Sequence, residues 1–199
     1  PALLRLGAAL QMSLRGSPCI YQGDELGLPE ADIAFEDLQD PYGITMWPEF
    51  KGRDGCRTPM PWKAGASDLG FSSASSSTKP WLPVAATHQG LTADAQLQDA
   101  GSLLHFYRQL LRWRKTRPSL VSGTLEVLEA HPQVLAYVRR FEGETTLCVF
   151  NFSPEAVQWT VPAEFASLSL VDGSGLAQVH LQANVLALPA WGGAFLGAV

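Results

Sequence analysis

The chain has 199 residues, of which 46% are hydrophobic and 17% are charged, a composition that is typical of a globular protein and excludes a disordered one. The net charge of −5 and the small number of basic residues, 14 in all, disfavour nucleic-acid binding. No apolar run reaches the ~18 residues that a membrane-spanning helix needs, so we expect no membrane association.

The first predicted element is an amphipathic helix over residues 2–14, whose apolar side chains recur at helical spacing and which Gly16, Ser17 and Pro18 end. Residues 19–22 (CIYQ) form a short β-prone run that predicts a buried strand. Helix and strand together are typical of a parallel α/β sheet. Position 1 is Pro rather than Met, so we expect the chain to be the C-terminal part of a longer protein.

Residues 24–99 show little periodicity, which favours a functional loop region. A short helix is predicted over 31–39, with Ile33, Phe35 and Leu38 packed, and the Ser/Ala-rich segment 72–77 is predicted to be mobile. Aromatic residues are frequent here and could stack on sugar rings, although single aromatics more often pack loops. They are Phe35, Tyr42, Trp47, Phe50, Trp62, Phe71 and Trp81.

Residues 99–115 predict a second amphipathic helix, which Asp99 or Ser102 can cap and which Pro118 ends. The pattern then changes to short β-prone runs separated by turn residues, which predicts an antiparallel β-sandwich. The runs lie at 124–129, 133–141, 144–152, 156–161, 167–171, 177–182, 184–188 and 194–198. A domain boundary is therefore expected between 1–117 and 118–199.

Residues 52–62 (GRDGCRTPMPW) place two arginines, Arg53 and Arg57, in a run of turn-forming residues. Guanidinium groups suit hydroxyls and carboxylates, and Gly and Pro fix the backbone that aims them. These residues predict a binding loop. The alternative is that Arg53, Asp54 and Arg57 form a set of salt bridges that only stabilise the loop, and the residues alone leave both interpretations open.

The same stretch resembles the R-D-x-x-R-T-P-M-x-W signature of α-glucosidases in the α-amylase family of glycoside hydrolases. Residues 16–27 (GSPCIYQGDELG) resemble that family's motif at the eighth barrel strand, and the resemblance continues through 79–83 and 106–115. It implies an α/β part followed by an all-β part. Residues 1–117 would be the end of a catalytic (β/α)8 TIM barrel (helix seven, strand eight, a long loop and helix eight), and 118–199 a C-terminal antiparallel β-sandwich.

The resemblance implies a retaining, exo-acting α-glucosidase that hydrolyses short α-gluco-oligosaccharides or sucrose-like disaccharides. In the family the three catalytic carboxylates follow strands four, five and seven, so we expect them upstream and none in this chain. Asp24 and Glu25 fit the role poorly, because glycosidases set two carboxylates ~5–9 Å apart across the scissile bond. We expect Asp24 and Glu25 to accept loop N–H groups or an arginine.

The resemblance also implies that an arginine of the signature binds the non-reducing-end glucose, together with an aspartate on an early loop. The substrate-binding candidates are thus Arg53 and Arg57. Arg57 heads the R-T-P-M-x-W run, which favours it slightly, but the sequence does not separate the two.

Three alternatives remain. A transglucosidase or sucrose isomerase uses the same scaffold, and the non-catalytic ectodomain of amino-acid-transporter heavy chains has the same fold, although the intact signature favours an enzyme. Residues 119–199 could instead be a free-standing carbohydrate-binding module, with Tyr137, Trp159 and Trp191 as its few candidate platforms.

The three cysteines, Cys19, Cys56 and Cys148, include no C-x-x-C pair, so neither a disulfide framework nor a zinc site is predicted. We expect each thiol to be a small packed group in a reducing compartment, the cytoplasm. The histidines at 88, 105, 131 and 180 show no metal-ligand spacing, and Gly192–Gly193 is predicted to lie in a hairpin rather than a phosphate loop. No cofactor is expected.

Overall fold

The computed structural model describes residues 2–73, 79–129 and 131–198. They form two compact units, one of residues 20–105 and the other of the residues up to Cys19 together with those from Phe106 onward. Most of the segment 72–77, predicted to be mobile, lies outside the described residues. No described helix is both long and apolar enough to cross a membrane.

The predicted helices over 2–14 and 99–115 and the eight predicted β-prone runs correspond to regular elements. The helices are α1 (Ala2–Ser13), α2 (Pro41–Thr45), α3 (Ala93–Gln98), α4 (Leu103–Lys115) and α5 (Pro118–Ser122). The strands are β1 (Thr124–Val127), β2 (Val134–Phe141), β3 (Glu144–Asn151), β4 (Val157–Thr160), β5 (Ser169–Leu170), β6 (His180–Gln182), β7 (Val185–Leu188) and β8 (Gly193–Gly197).

The strands build the predicted sandwich from a five-stranded sheet, β1-β2-β3-β8-β5, and a three-stranded sheet, β4-β7-β6, and every pairing is antiparallel. Each of the eight predicted runs overlaps a strand, and alternate side chains such as Val138, Val149 and Leu186 are fully buried between the sheets. The predicted hairpin at Gly192–Gly193 is wrong. β7 and β8 pair in different sheets, so this turn carries the chain from one sheet to the other.

Helices cover the opposite face of the five-stranded sheet, so its central strands are buried on both sides. The ring of Trp113 on α4 lies 4.6 Å from that of Phe195 on β8, centroid to centroid. At the end of α1, Ser13 Oγ lies 2.6 Å from the phenolic oxygen of Tyr137. Helix α1 is thereby anchored on the sheet.

The helix predicted over 99–115 begins at Leu103, because the hydroxyl of Ser102 accepts a hydrogen bond from the N–H of His105 and caps it. Its buried side chains are Phe106, Tyr107, Leu110 and Trp113. After this helix ends, Pro118 starts the short helix α5, which, like α2 and α3, was not predicted.

The 20–105 unit is mostly irregular, as predicted. Two predicted elements, the helix over 31–39 and the strand over 19–22, are absent. Residues 31–39 contain only a 3₁₀ turn at Phe35–Asp37, although Ile33 and Leu38 are buried as expected and Phe35 is 44% exposed. Residues 19–22 form no strand. A parallel strand needs a neighbour that supplies backbone partners, and no parallel pair exists among the described residues.

The cysteines differ from one another in their environments. Cys148 is buried in β3, as predicted, whereas Cys19 and Cys56 are exposed, so the expectation of a packed thiol is wrong for both. Cys19 lies in an irregular segment and Cys56 ends the 3₁₀ turn Asp54–Cys56, both where the backbone runs along the surface.

Candidate functional site

A cavity of about 340 Å³ in the 20–105 unit is lined by both of the sequence motifs singled out above. Residues 21–24 contribute from the first motif, and Arg53, Cys56 and Thr58 from the second. The motifs also touch directly, since Gln22 Nε2 donates a 3.4 Å hydrogen bond to the carbonyl of Thr58. Two segments some thirty residues apart in the chain therefore form one concave surface.

The arginine in this cavity is held by a buried carboxylate. Arg53 donates from Nε to Asp40 Oδ2 at 2.9 Å and from Nη2 to Oδ1 at 3.2 Å, and its backbone N–H donates to the same Oδ2 at 2.9 Å. Asp40 is 2% exposed, whereas the side chain of Arg53 is 55% exposed. The hydrogen bonds from Arg53 hold the pKa of Asp40 well below its ordinary value, because they favour the ionised form.

Asp40 also begins helix α2. Its Oδ1 accepts a 3.2 Å hydrogen bond from the backbone N–H of Tyr42, and Pro41 follows at the first helical position. An aspartate before a proline is a common way to start a helix, because the carboxylate satisfies a free N–H and proline needs none. One carboxylate thus both caps a helix and binds the arginine.

A second acidic residue, Asp54, lies in the loop itself, is fully buried and binds backbone N–H groups. Its Oδ2 accepts hydrogen bonds from the N–H groups of Gln39 at 2.6 Å and Asp40 at 2.7 Å. Asp54 therefore fixes the segment that carries Asp40. The alternative salt-bridge set of Arg53, Asp54 and Arg57 is wrong as stated, since the carboxylate that pairs with Arg53 is Asp40.

Glycines allow the loop to approach helix α2 closely. A Cβ on Gly43 would lie 2.5 Å from the carbonyl oxygen of Lys51. Gly52 has a φ of +75°, and a Cβ on it would lie 3.0 Å from the backbone nitrogen and Cα of Gly43. Only glycine meets both conditions without strain. The two backbones therefore pack directly on each other, immediately before Arg53.

Arg57 has a different environment. It is half-buried, its N–H donates to the carbonyl of Asp54 at 2.9 Å, and it does not line the cavity. Within the described ranges its guanidinium makes no hydrogen bond or ion pair. Of the two predicted arginines, Arg53 is the one that faces the cavity.

Asp24 and Glu25 accept local backbone N–H groups, as expected. Asp24 Oδ2 accepts from Tyr21 at 2.9 Å and Glu25 Oε2 from Gly23 at 3.0 Å, around the 3₁₀ turn Asp24–Leu26. Both carboxylates therefore shape the loop that borders the cavity.

Two residues of this region were not found from the sequence. Asp40 could have been found from the Asp-Pro pair that marks a helix start. His88, 2% exposed and bonded through Nε2 to the carbonyl of Pro29 at 2.8 Å, also lines the cavity, and no sequence signal marks it. In the part of the chain that the structure describes, no three His, Cys, Asp or Glu side chains form a group that could hold a metal ion.

The Asp40 carboxylate predicts a specific dependence of stability on pH. Because its pKa is lowered on folding from the ordinary value of 3.8, the unfolded state binds more protons in acid. The stabilising contribution is present above about pH 4 and is lost as pH falls toward the lowered pKa. We expect the urea midpoint of the wild type to exceed that of Asp40→Asn at pH 7, with a difference that shrinks below pH 4. A constant difference down to pH 2 would contradict this.

Comparison with known proteins finds a matching family for each of the two parts of the chain. Residues 2–123 match the family described as "Alpha amylase, catalytic domain" and residues 125–194 match "Maltogenic Amylase, C-terminal domain". A probable alpha-glucosidase of Rhizobium meliloti is 46% identical over 96% of this chain and 33% of its own length. The chain thus spans about a third of the length of the curated relatives it matches.

Two solved structures extend this similarity. The alpha-glucosyl transfer enzyme XgtA has a TM-score of 0.91 and 43% identity, covering all of this chain and 36% of its own. The trehalulose synthase MutB from Pseudomonas mesoacidophila has a TM-score of 0.80 and 27% identity, covering 98% of this chain and 38% of its own.

Proposed function

The chain belongs to the α-amylase family of glycoside hydrolases, and from this premise we propose that it is the C-terminal part of a retaining, exo-acting α-glucosidase. Residues 1–117 complete the catalytic barrel and residues 118–199 form the C-terminal domain. The catalytic carboxylates belong to the sequence upstream. Substrates are short α-gluco-oligosaccharides or sucrose-like disaccharides.

One observation carries this proposal: Arg53 lies in a cavity that both motifs line, with its side chain more than half exposed. Its fork to Asp40 uses Nε–H and one N–H of Nη2, which leaves three of its five N–H groups for a ligand. Sugar hydroxyls are suitable acceptors for these groups. Arg57 is the second candidate for sugar contact, because its guanidinium has no hydrogen-bond partner in the described chain.

The test uses the full-length protein, which is this chain with its upstream sequence. We expect it to release α-glucose from maltose, isomaltose or sucrose, and to leave intact an oligosaccharide whose non-reducing end is chemically blocked. Cleavage of the blocked substrate would contradict exo action, and release of β-glucose would contradict retention. The 199-residue chain alone should show no turnover.

Glucosyl transfer is the second candidate function, because the similar solved structures are a glucosyl transfer enzyme and a trehalulose synthase. The product spectrum from sucrose separates the two functions: a hydrolase gives glucose and fructose in equal amounts, whereas a transferase or isomerase gives new glucosides. The absence of any turnover by the full-length protein would favour the non-catalytic ectodomain instead.

We also propose a cytoplasmic location for the protein. The two exposed free thiols, Cys19 and Cys56, are compatible with a reducing compartment, where such groups stay reduced.

A further inference from the structure

We propose that Asp40 is a positioning residue that aims Arg53 at the sugar. This inference rests on the proposed function, in which Arg53 binds the substrate. Asp40 itself would not touch the sugar, because it is 2% exposed and its oxygens are already occupied by Arg53 and the N–H of Tyr42.

The geometry restricts Arg53 to one orientation. An arginine side chain has many rotamers, and a ligand that must order it loses affinity. The fork to Asp40 binds one edge of the guanidinium through two parallel hydrogen bonds, which fixes its plane as well as its place. The remaining N–H groups are therefore arranged before any substrate arrives.

Asp40 is fixed in turn by the loop that carries the arginine. Asp54 accepts the N–H groups of Gln39 and Asp40, and the backbone N–H of Arg53 donates to the Asp40 carboxylate. Arg53 thus binds the side chain of Asp40, and Asp54 binds the backbone of Asp40. This gives the Arg-Asp pair of the signature a joint role: the loop positions its own arginine through Asp40.

The substitution Asp40→Asn isolates this role. Asparagine caps helices about as well as aspartate, so helix α2 should be retained. Its amide NH₂ group would face the N–H groups of Arg53, however, so the two-bond fork is lost. In the full-length enzyme we expect KM for a short α-glucoside to rise about 10-fold while kcat changes less than about 3-fold, because the lost binding is shared by ground state and transition state.

Three measurements distinguish positioning from a merely structural effect. Asp37→Asn is the matched control, since it removes an exposed and longer pair with Lys79, at 3.7 Å, and should leave KM unchanged. The thermal midpoint of each variant reports folding, and Asp40→Ser, which also caps a helix but cannot form the fork, replaces Asp40→Asn if the latter does not fold. In an Arg53→Ala background, Asp40→Asn should have no further effect on KM, because positioning acts only through Arg53.

The outcomes separate this inference from the function on which it rests. If Arg53→Ala impairs the enzyme but Asp40→Asn leaves KM unchanged, Asp40 does not position the arginine and the proposed function stands. The inference also fails if Asp40→Asn raises KM equally in the presence and absence of Arg53. If Arg53→Ala itself has wild-type kinetics, the assignment of the sugar-binding residue is wrong.

Discussion

Arg53→Ala in the full-length enzyme is expected to lower kcat/KM for a short α-glucoside by about 10²-fold or more. A hydrogen bond from a charged group to a substrate hydroxyl contributes up to about 3 kcal/mol, and about 1.4 kcal/mol corresponds to a tenfold change in rate. The substitution also leaves the Asp40 carboxylate, which is 2% exposed, without its cation, so we expect the unfolding free energy to fall as well. Steady-state kinetics and a urea titration of the same protein measure both effects.

Arg57→Ala is the natural comparison, because it removes the second arginine of the same loop. Arg57 does not line the cavity, so we expect a smaller loss of kcat/KM than for Arg53→Ala. The reverse order of the two losses would assign the sugar contact to Arg57. If both variants retained wild-type kinetics, neither arginine would bind substrate and the arginines would serve only the loop.

The C-terminal fold could be predicted from the sequence because its signals are local. Short runs of β-prone apolar residues mark β2 and β3, and turn residues such as Gly143 separate them, so the prediction of these strands is confirmed. Pairing order is not local. The crossing from β7 to β8 between the two sheets was mistaken for a hairpin, because Gly192–Gly193 signals a turn but not which strands it connects.

The site was predicted in part, for a related physical reason. A run of turn-forming residues predicts the loop and its arginines, but the partner that the sequence suggests for Arg53, in one of two open interpretations, is the neighbouring Asp54. The actual partner, Asp40, lies 13 residues earlier in the chain. The helix was predicted over 31–39, just before Asp40. The observed helix instead starts after Asp40, with Pro41 at its first position.

The largest effect on stability is expected at Arg139, a cation buried on the face of the five-stranded sheet that the helices cover. It is 1% exposed, and its three nitrogens donate to the carbonyls of Ser13, Gly123 and Thr124. Ser13 ends helix α1 and Gly123 follows helix α5, so the guanidinium holds both helix ends on the sheet. No ion pair of Arg139 with a carboxylate occurs among the described residues.

Arg139→Met should lower the unfolding free energy by about 3 kcal/mol, because it keeps most of the side-chain volume but leaves three carbonyls, those of the buried Ser13 and Gly123 and of Thr124, without the guanidinium as donor. Relief of the desolvated charge acts in the opposite direction, since a buried ion costs free energy that an apolar side chain does not. We expect the carbonyls to dominate, because three groups lose partners while one charge is removed. For a chain of this length the thermal midpoint should fall by roughly 6–12 °C.

Arg140→Met is the matched control on the next residue of the same strand. Arg140 is 41% exposed and pairs with Glu126 at 2.6 Å, and a surface pair of this kind contributes at most about 1 kcal/mol. Thermal unfolding of the two variants side by side should therefore give a large shift for position 139 and a small one for position 140. Equal shifts, or a more stable Arg139→Met protein, would show that the buried guanidinium costs as much as its three hydrogen bonds contribute, and that α1 is held on the sheet by its other contacts.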